Sequence, residues 1–275
     1  MSARRFRVLL TGASGGLGSA IAGALAPHCD ALLLVGRNAK RLGELEATLN
    51  TRCSRSVQAD IGTTAGREAV FTAARDIDGG IDVLINNAGT GAFSWLADQD
   101  DEALGRIIAA NVVAPMQLTR KLLPLLQEQP SAAIINVGSI FGYIGYPGCA
   151  VYSASKFGLR GFTEALRREL ADTAVRVMYF APRSTRTPFN SDAMYALNDR
   201  LGVAVDEPEL VAQALLRLLR APGRERLLGF PERLFARINQ VMPALVDAAL
   251  RRQLPIIRAH ARDHELPSSA PRRGA

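Results

Sequence analysis

The sequence predicts an α/β fold: a single doubly wound parallel sheet with helices on both faces and a helical extension at its C-terminal end. Apolar runs alternate with helical patterns along most of the chain, the pattern of a parallel sheet covered on both sides. At 275 residues, 48% hydrophobic and 21% charged, the chain is globular and long enough for one large core. Neither an internal repeat nor a long linker divides it, and right-handed crossovers leave the doubly wound topology as the economical one.

The elements follow in order. "FRVLLTG" reads as the first strand and leads into a helix from about Leu17 to Ala26. "ALLLVGR" is the second strand, with a helix from Lys40 to Leu49 behind it. "RSVQAD" is the third, before a helix through Phe71 and Ala74, and "DVLINNAG" the fourth. A long helix around Leu104–Leu126 precedes the strand "AAIINVGS", a further helix runs to about Ala171, and "VRVMYFAP" is the sixth strand. Residues 1–230 form one domain, 231–265 a helical extension and 266–275 a flexible tail. In the extension Leu234, Phe235, Ile238, Val241, Met242, Leu245, Val246 and Ala249 recur at helical spacing, and Pro243 should kink or break the helix. Packing on the core or on a partner subunit is the expected use of that stripe, ahead of a cleft lid or a membrane-surface contact.

The charge of +7 comes from 33 basic residues, only three of them lysines, against 26 acidic ones. The arginines are scattered, the densest groups (Arg4, Arg5, Arg7; Arg272, Arg273) are terminal, and no nucleic-acid-binding motif accompanies them, so nucleic acid is not an expected partner. Cys29, Cys53 and Cys149 are odd in number and far apart, as free thiols in a reducing compartment would be. The apolar run at the start is too short for a signal peptide, and no stretch of about 18 apolar residues occurs. A soluble cytoplasmic protein is expected. His260 and His264 lack the intervening glutamate of a metal-binding HExxH helix, and no metal site is expected.

Two stretches suggest chemistry. "TGASGGLG", Thr11 to Gly18, joins the first strand to the first helix, and glycines there let backbone N–H groups approach a pyrophosphate at the helix N-terminus. Gly12, Gly16 and Gly18 are spaced Gly-x-x-x-Gly-x-Gly. "VYSASKFG" sets Tyr152 and Lys156 at i, i+4, on one helix face. An ammonium beside a phenol favours the phenolate and suits proton transfer near neutral pH.

With Asp60 and Ile61 after the third strand, "NNAG" (Asn86 to Gly89) after the fourth, Asn111, and Ser139 thirteen residues before Tyr152, the chain resembles the short-chain dehydrogenase/reductase family, in its non-extended branch. The resemblance covers roughly residues 5–230. It implies a Rossmann-type sheet and an NAD(P)-dependent enzyme interconverting a carbonyl and an alcohol. Tyr152 would be the general acid–base, Ser139 would hydrogen-bond the substrate oxygen, Lys156 would lower the phenol's pKa and hold the nicotinamide ribose, and Asn111 would hold a proton-relaying water. Gly12, Ser14, Gly16, Leu17, Gly18, Asp60, Ile61, Asn87, Ala88, Gly89, Pro182 and Thr187 would line the dinucleotide site. Gly36 stands where an acid would select NAD, and Arg37 follows it, so NADP is the expected cofactor and NAD the less favoured one. The family usually has glycine after Pro182, but here Arg183 stands there, either to bind an acidic substrate group or to turn into solvent. Phe93, Trp95, Phe141, Tyr143, Phe189, Met194 and Tyr195 fall in segments that border the substrate cleft in relatives, which implies a hydrophobic ketone, aldehyde or alcohol, lipid- or acyl-like. The expected assembly is a homodimer or homotetramer. The principal rival is a dinucleotide-sensing regulator without catalysis, which would have no need of Ser139, Tyr152 and Lys156 together. A sugar epimerase or dehydratase of the extended branch is disfavoured by glycine spacing and length.

Overall fold

A computed structural model describes residues 5–49, 53–221 and 223–261. In chain order the elements are β1 (Phe6–Thr11), α1 (Gly16–Leu25), β2 (Cys29–Gly36), α2 (Ala39–Leu49), β3 (Ser54–Gln58), α3 (Thr64–Arg75), β4 (Val83–Asn86), α4 (Asp101–Ile108), α5 (Ala114–Gln127), β5 (Ala132–Val137), α6 (Ala150–Glu169), β6 (Val175–Ala181), α7 (Asp192–Arg200), α8 (Pro208–Arg220), β7 (Glu225–Leu227), α9 (Glu232–Val241) and α10 (Pro243–Ala261). The strands form one parallel sheet in the order β3-β2-β1-β4-β5-β6-β7. This is the doubly wound topology expected from the sequence, and the order reverses between β1 and β4.

Successive side chains of a strand point to opposite faces, and here both faces are covered. Val8 and Leu10 of β1 pack with Ile21 and Leu25 of α1 and Leu215 and Leu219 of α8. Leu9, between them, packs with Val70 of α3 and Leu118 and Leu122 of α5. Each such aliphatic contributes about 1.5–3 kcal/mol when fully buried, so the two apolar layers fix the sheet and leave its strand ends to carry function.

The long helix predicted around Leu104–Leu126 is interrupted. Between α4 and α5 residues Ala109–Val113 make a wider π-type turn that buries Asn111, a feature often found at functional sites. The short edge strand β7, of sequence Glu-Arg-Leu, carries no apolar pattern that could have announced it. The C-terminal stripe breaks at Pro243, which lacks the N–H a continuous helix would need there. Ala236 and Val246 are buried, and Ile238 and Leu250 pack with them around Tyr143 and Tyr179. Ile257 and Ala261 bury against Phe93 and Cys149. Leu234, Phe235, Val241, Met242 and Leu245 remain exposed, so the break splits the stripe between core and solvent. The expected tail at 266–275, residues 262–265 and His264 lie outside the described residues. Among the described residues no helix is long and apolar enough to cross a membrane.

Cutting the chain after Gly229 would uncover Tyr143, Phe93 and Cys149. With each kcal/mol worth about 2–4 °C in a chain of this size, thermal melting of the truncated protein should fall by more than about 5 °C. An unchanged melting temperature would mean that α9 and α10 contribute nothing to the core.

Candidate active site

The floor of the site lies where the strand order reverses. The Thr11 hydroxyl at the end of β1 accepts hydrogen bonds from the Asn87 and Ala88 N–H groups, at 3.0 and 3.1 Å, and donates to Ile85 O. The Asn87 amide donates back to Thr11 O and Gly12 O. Asn87 and Ala88 thereby hold the ends of β1 and β4 together, and the Asn87 side chain is committed to that task.

Above this floor the glycine-rich turn leads into α1, whose first N–H groups have no intrahelical partner. A Cβ on Gly18 would stand 2.1 Å from Gly12 O, so only glycine permits so tight a turn at the head of the helix. Gly12, Ser14, Gly16, Leu17, Gly18, Arg37, Asp60, Ile61, Asn87, Ala88 and Gly89 all line one cleft, together with Tyr152, Lys156, Pro182 and Thr187. At the end of β2, Gly36 is buried beside Ser14, and Arg37 is exposed. Arg41, in the first turn of α2, also lines the cleft. Sequence reasoning passed over it, although its place four residues after Arg37, just past the end of β2, could have drawn attention to it. The Asp60 carboxylate accepts from Gly62 N at 2.9 Å and so shapes the turn after β3 while bordering the cleft.

The reacting end is built by the turn after β5 and by α6. Ser139 follows β5, and its hydroxyl accepts from Phe141 N. Tyr152 is half-buried, its ring set against Phe141 at 6.4 Å and Phe189 at 5.8 Å. Lys156 is buried, with Nζ 5.7 Å from the Tyr152 ring centroid, and donates to Val137 O at 3.0 Å. Burial pushes the Tyr152 phenol well above its ordinary value, with the Ser139 hydroxyl, which hydrogen-bonds it, pulling the other way. Burial also brings the Lys156 ammonium down to about 8. Loss of water around the ring, not the neighbouring lysine, therefore sets the direction in which the phenol is shifted in this cleft.

Asn111 is buried in the turn between α4 and α5. Its amide donates to Thr90 O at 2.7 Å and Ser155 Oγ at 2.9 Å, and its oxygen accepts from Thr90 N. Both amide hydrogens are thus used to tie the turn after β4 to α6. Tyr179 of β6 escaped notice in the sequence because it sits among apolar residues. Fully buried, its hydroxyl donates to Lys156 O at 3.1 Å and accepts from Ser139 N at 3.4 Å. Cβ atoms on Gly138 or Gly142 would lie about 2 Å from that hydroxyl, at 2.0 and 2.2 Å.

After β6, Pro182 O accepts from Ile140 N, and Thr187 packs against Gly16. Arg183 does neither of the two things expected of it: its guanidinium is taken up by Asp206 and Glu232. Of the seven large apolar side chains, Phe93, Phe141, Phe189 and Met194 line the cleft. Trp95 instead packs beside Phe93 and Ile257, Tyr143 is buried with its hydroxyl on Glu225, and the Tyr195 hydroxyl holds the Thr187 backbone. Among the described residues no group of three His, Cys, Asp or Glu is gathered closely enough to hold a metal ion.

The family model for short chain dehydrogenases matches residues 7–196. The chain is a short-chain dehydrogenase. A ketoacyl reductase, HetN, from Nostoc is 32% identical over 253 residues, covering 89% of this chain and 88% of that one. A short chain dehydrogenase from Burkholderia cenocepacia, solved in complex with NADP, superposes with a TM-score of 0.77 at 25% identity over 91% of this chain and 99% of that one. A 3-ketoacyl-(acyl-carrier-protein) reductase from Brucella melitensis, complexed with NADH, gives 0.75 at 27% identity over 82% and 96%.

As a member of this family the protein is an oxidoreductase that uses a nicotinamide dinucleotide to interconvert alcohol and carbonyl groups. The cleft fits such a cofactor. Its volume of ≈ 2500 Å³ exceeds the 300–1,000 Å³ typical of a small-molecule pocket and leaves room for dinucleotide and substrate together. The close turn at Gly18 keeps the head of α1 open to a pyrophosphate.

The position of Lys156 has a consequence for this dehydrogenase's stability. Its folded value of about 8 lies below the 10.5 it has in water, so between those values the unfolded chain binds more protons, and folding becomes more favourable as pH rises. Lys156→Met should therefore melt higher than wild type at pH 7, and the gap should close between about pH 8 and 10. A gap that stayed constant across that range in thermal melts would show that the ammonium pays no desolvation penalty.

Proposed function

We propose that the chain is an NADP-dependent reductase of hydrophobic, lipid- or acyl-like carbonyl compounds, with Tyr152 as general acid–base, running also in reverse as an alcohol dehydrogenase. The observation that carries this reading is that Ser139, Tyr152 and Lys156 line the dinucleotide cleft together with Phe93, Phe141 and Phe189. A phenol held above its ordinary value is protonated at neutral pH. It therefore stands ready to donate to a substrate oxygen on which negative charge develops. The Ser139 hydroxyl donates to the same oxygen. The Lys156 charge, close behind the ring, stabilises the phenolate that remains, and solvent returns the proton. The bound dinucleotide supplies the hydride. The preference for NADP rests on Arg37 and Arg41 beside the cleft and on Gly36 in place of an acid, since a guanidinium pairs with a 2′-phosphate through two hydrogen bonds. The exposed Leu234, Val241, Met242 and Leu245 suit burial in a homodimer or homotetramer.

Tyr152→Phe should lower kcat by about 10²–10⁴-fold, the usual worth of a positioned acid–base, while NADPH binding stays intact. The measurement is steady-state reduction of a panel of ketones and aldehydes, alongside fluorescence titration of NADPH. Retention of more than about a tenth of wild-type kcat would remove Tyr152 from the role.

Gly36→Asp combined with Arg37→Leu should shift the ratio of dissociation constants from NADPH towards NADH, because a carboxylate there repels the 2′-phosphate and accepts the ribose hydroxyls. Ser14 Oγ lies 3.0 Å from where the new Cβ would stand and must yield slightly. An unchanged ratio would show that the end of β2 does not read the phosphate.

A further inference from the structure

The guanidinium of Arg183, where the family usually has glycine, is a bridge between two segments. Nε and one terminal nitrogen donate to the two oxygens of Asp206, at 3.0 and 2.8 Å. The other terminal nitrogen donates to both oxygens of Glu232, at 3.3 and 3.1 Å. The side chain is only 15% exposed, and the two carboxylates 19% and 18%, so these bonds are better shielded from water and salt than a surface pair.

The two anchors belong to different parts of the site. Asp206 lies in the segment before α8, stitched to the chain after β6 by Asp206 N to Ser184 O and Arg186 N to Asp206 O, and thus to the stretch that carries Thr187 and Phe189. Glu232 opens α9, from which Phe235 faces the cleft, while Val246 and Leu250 of α10 line it beside Phe235. The residue before Arg183 holds the catalytic turn through Pro182 O and Ile140 N. Gly229 has φ +91, and a Cβ there would stand 2.6 Å from Arg183 Cδ and 2.7 Å from Glu232 Oε2, so the chain leading into α9 is shaped around the ion pair. Further along, Asn239 donates to Tyr143 O, and Arg237 pairs with Glu225. The first helix of the extension is therefore fastened along its length and acts as a fixed wall.

We propose that Arg183 is a positioning residue that sets substrate specificity: it clamps α9 against the segment after β6 and so fixes the apolar wall that receives the part of the substrate beyond the carbonyl. This rests on the carbonyl-reductase reading above. A short substrate, held by Ser139 and Tyr152 alone, does not reach that wall. A long apolar one does, and contacts made equally in the ground state and the transition state change KM without changing kcat.

The test uses the full chain with Glu232→Gln, which removes the charge and one acceptor from the α9 arm and leaves the Asp206 arm whole, and with Arg183→Lys, which keeps the charge but cannot fork to both carboxylates. Steady-state kinetics with NADPH and a series of straight-chain aldehydes from short to long are read beside amide hydrogen exchange of residues 232–250. The expected result is a KM for the long aldehydes raised about five- to tenfold, the scale on which one ordinary net hydrogen bond counts. The kcat, the KM for the shortest aldehyde and the NADPH dissociation constant stay within about twofold, and exchange is faster in α9. A KM shift equal at every chain length, a shift in the NADPH constant alone, or unchanged exchange in both variants would each overturn the proposal. If the wild type reduced no aldehyde with either nucleotide, the functional reading and the specificity role would fall together, while faster exchange in Glu232→Gln would still establish the clamp itself.

Discussion

Everything in the cleft depends on two strand ends staying together where the sheet changes direction. At a topological switch point the helices depart to opposite faces, and the strand termini lose the neighbours that would otherwise cover them. Thr11 and Asn87 close that gap with reciprocal bonds, the threonine hydroxyl serving as donor and acceptor at once. A neutral hydrogen bond contributes only about 1 kcal/mol net, whereas a buried group left without a partner costs about 1–3. The set is therefore held less by what each bond adds than by what any one of them would cost if broken. The glycine turn on one side and Asn87 to Gly89 on the other inherit their relative position from it.

A second polar layer continues beneath the sheet. Asn86 and Asn136 sit opposite each other in β4 and β5. The Asn86 amide donates to Thr119 Oγ1 and Asn136 Oδ1, and Asn136 donates to Thr163 Oγ1. These bonds join both strands to α5 and α6. Since α6 also carries Tyr152 and Lys156, the helix that supplies the acid–base pair is registered against the sheet by directional bonds as well as by apolar packing, which is less particular about sliding.

Much of this was legible in the sequence, for identifiable reasons. Five strands announced themselves because burial on both faces makes them largely apolar; β3, polar and half-exposed at one sheet edge, was read as a strand all the same, whereas β7, short and polar at the other edge, was not. The Tyr152–Lys156 pair was legible because i, i+4 spacing is a local property of a helix. Arg183 was not, because its partners lie 23 and 49 residues away and only the folded chain brings them together. The direction in which the phenol is pushed was hidden for a different reason. A neighbouring charge can be read from spacing, but loss of water depends on Phe141, Phe189 and the depth of the cleft. The fate of Asn111 likewise needed the turn at Thr90, which no helical pattern could supply.

Tyr179 links the interior of the sheet to the evolution of the site. Its ring fills the space beneath Gly138 and Gly142, so the three positions form one steric unit. A smaller residue at 179 would open a void under the Ser139 turn and at the same time release both glycines from their constraint. A side chain at either glycine would in turn force the phenol out. Among descendants of this chain these positions should therefore change in concert, with any single step passing through a less stable intermediate, and the support beneath the reacting serine should drift more slowly than the aromatic walls around it.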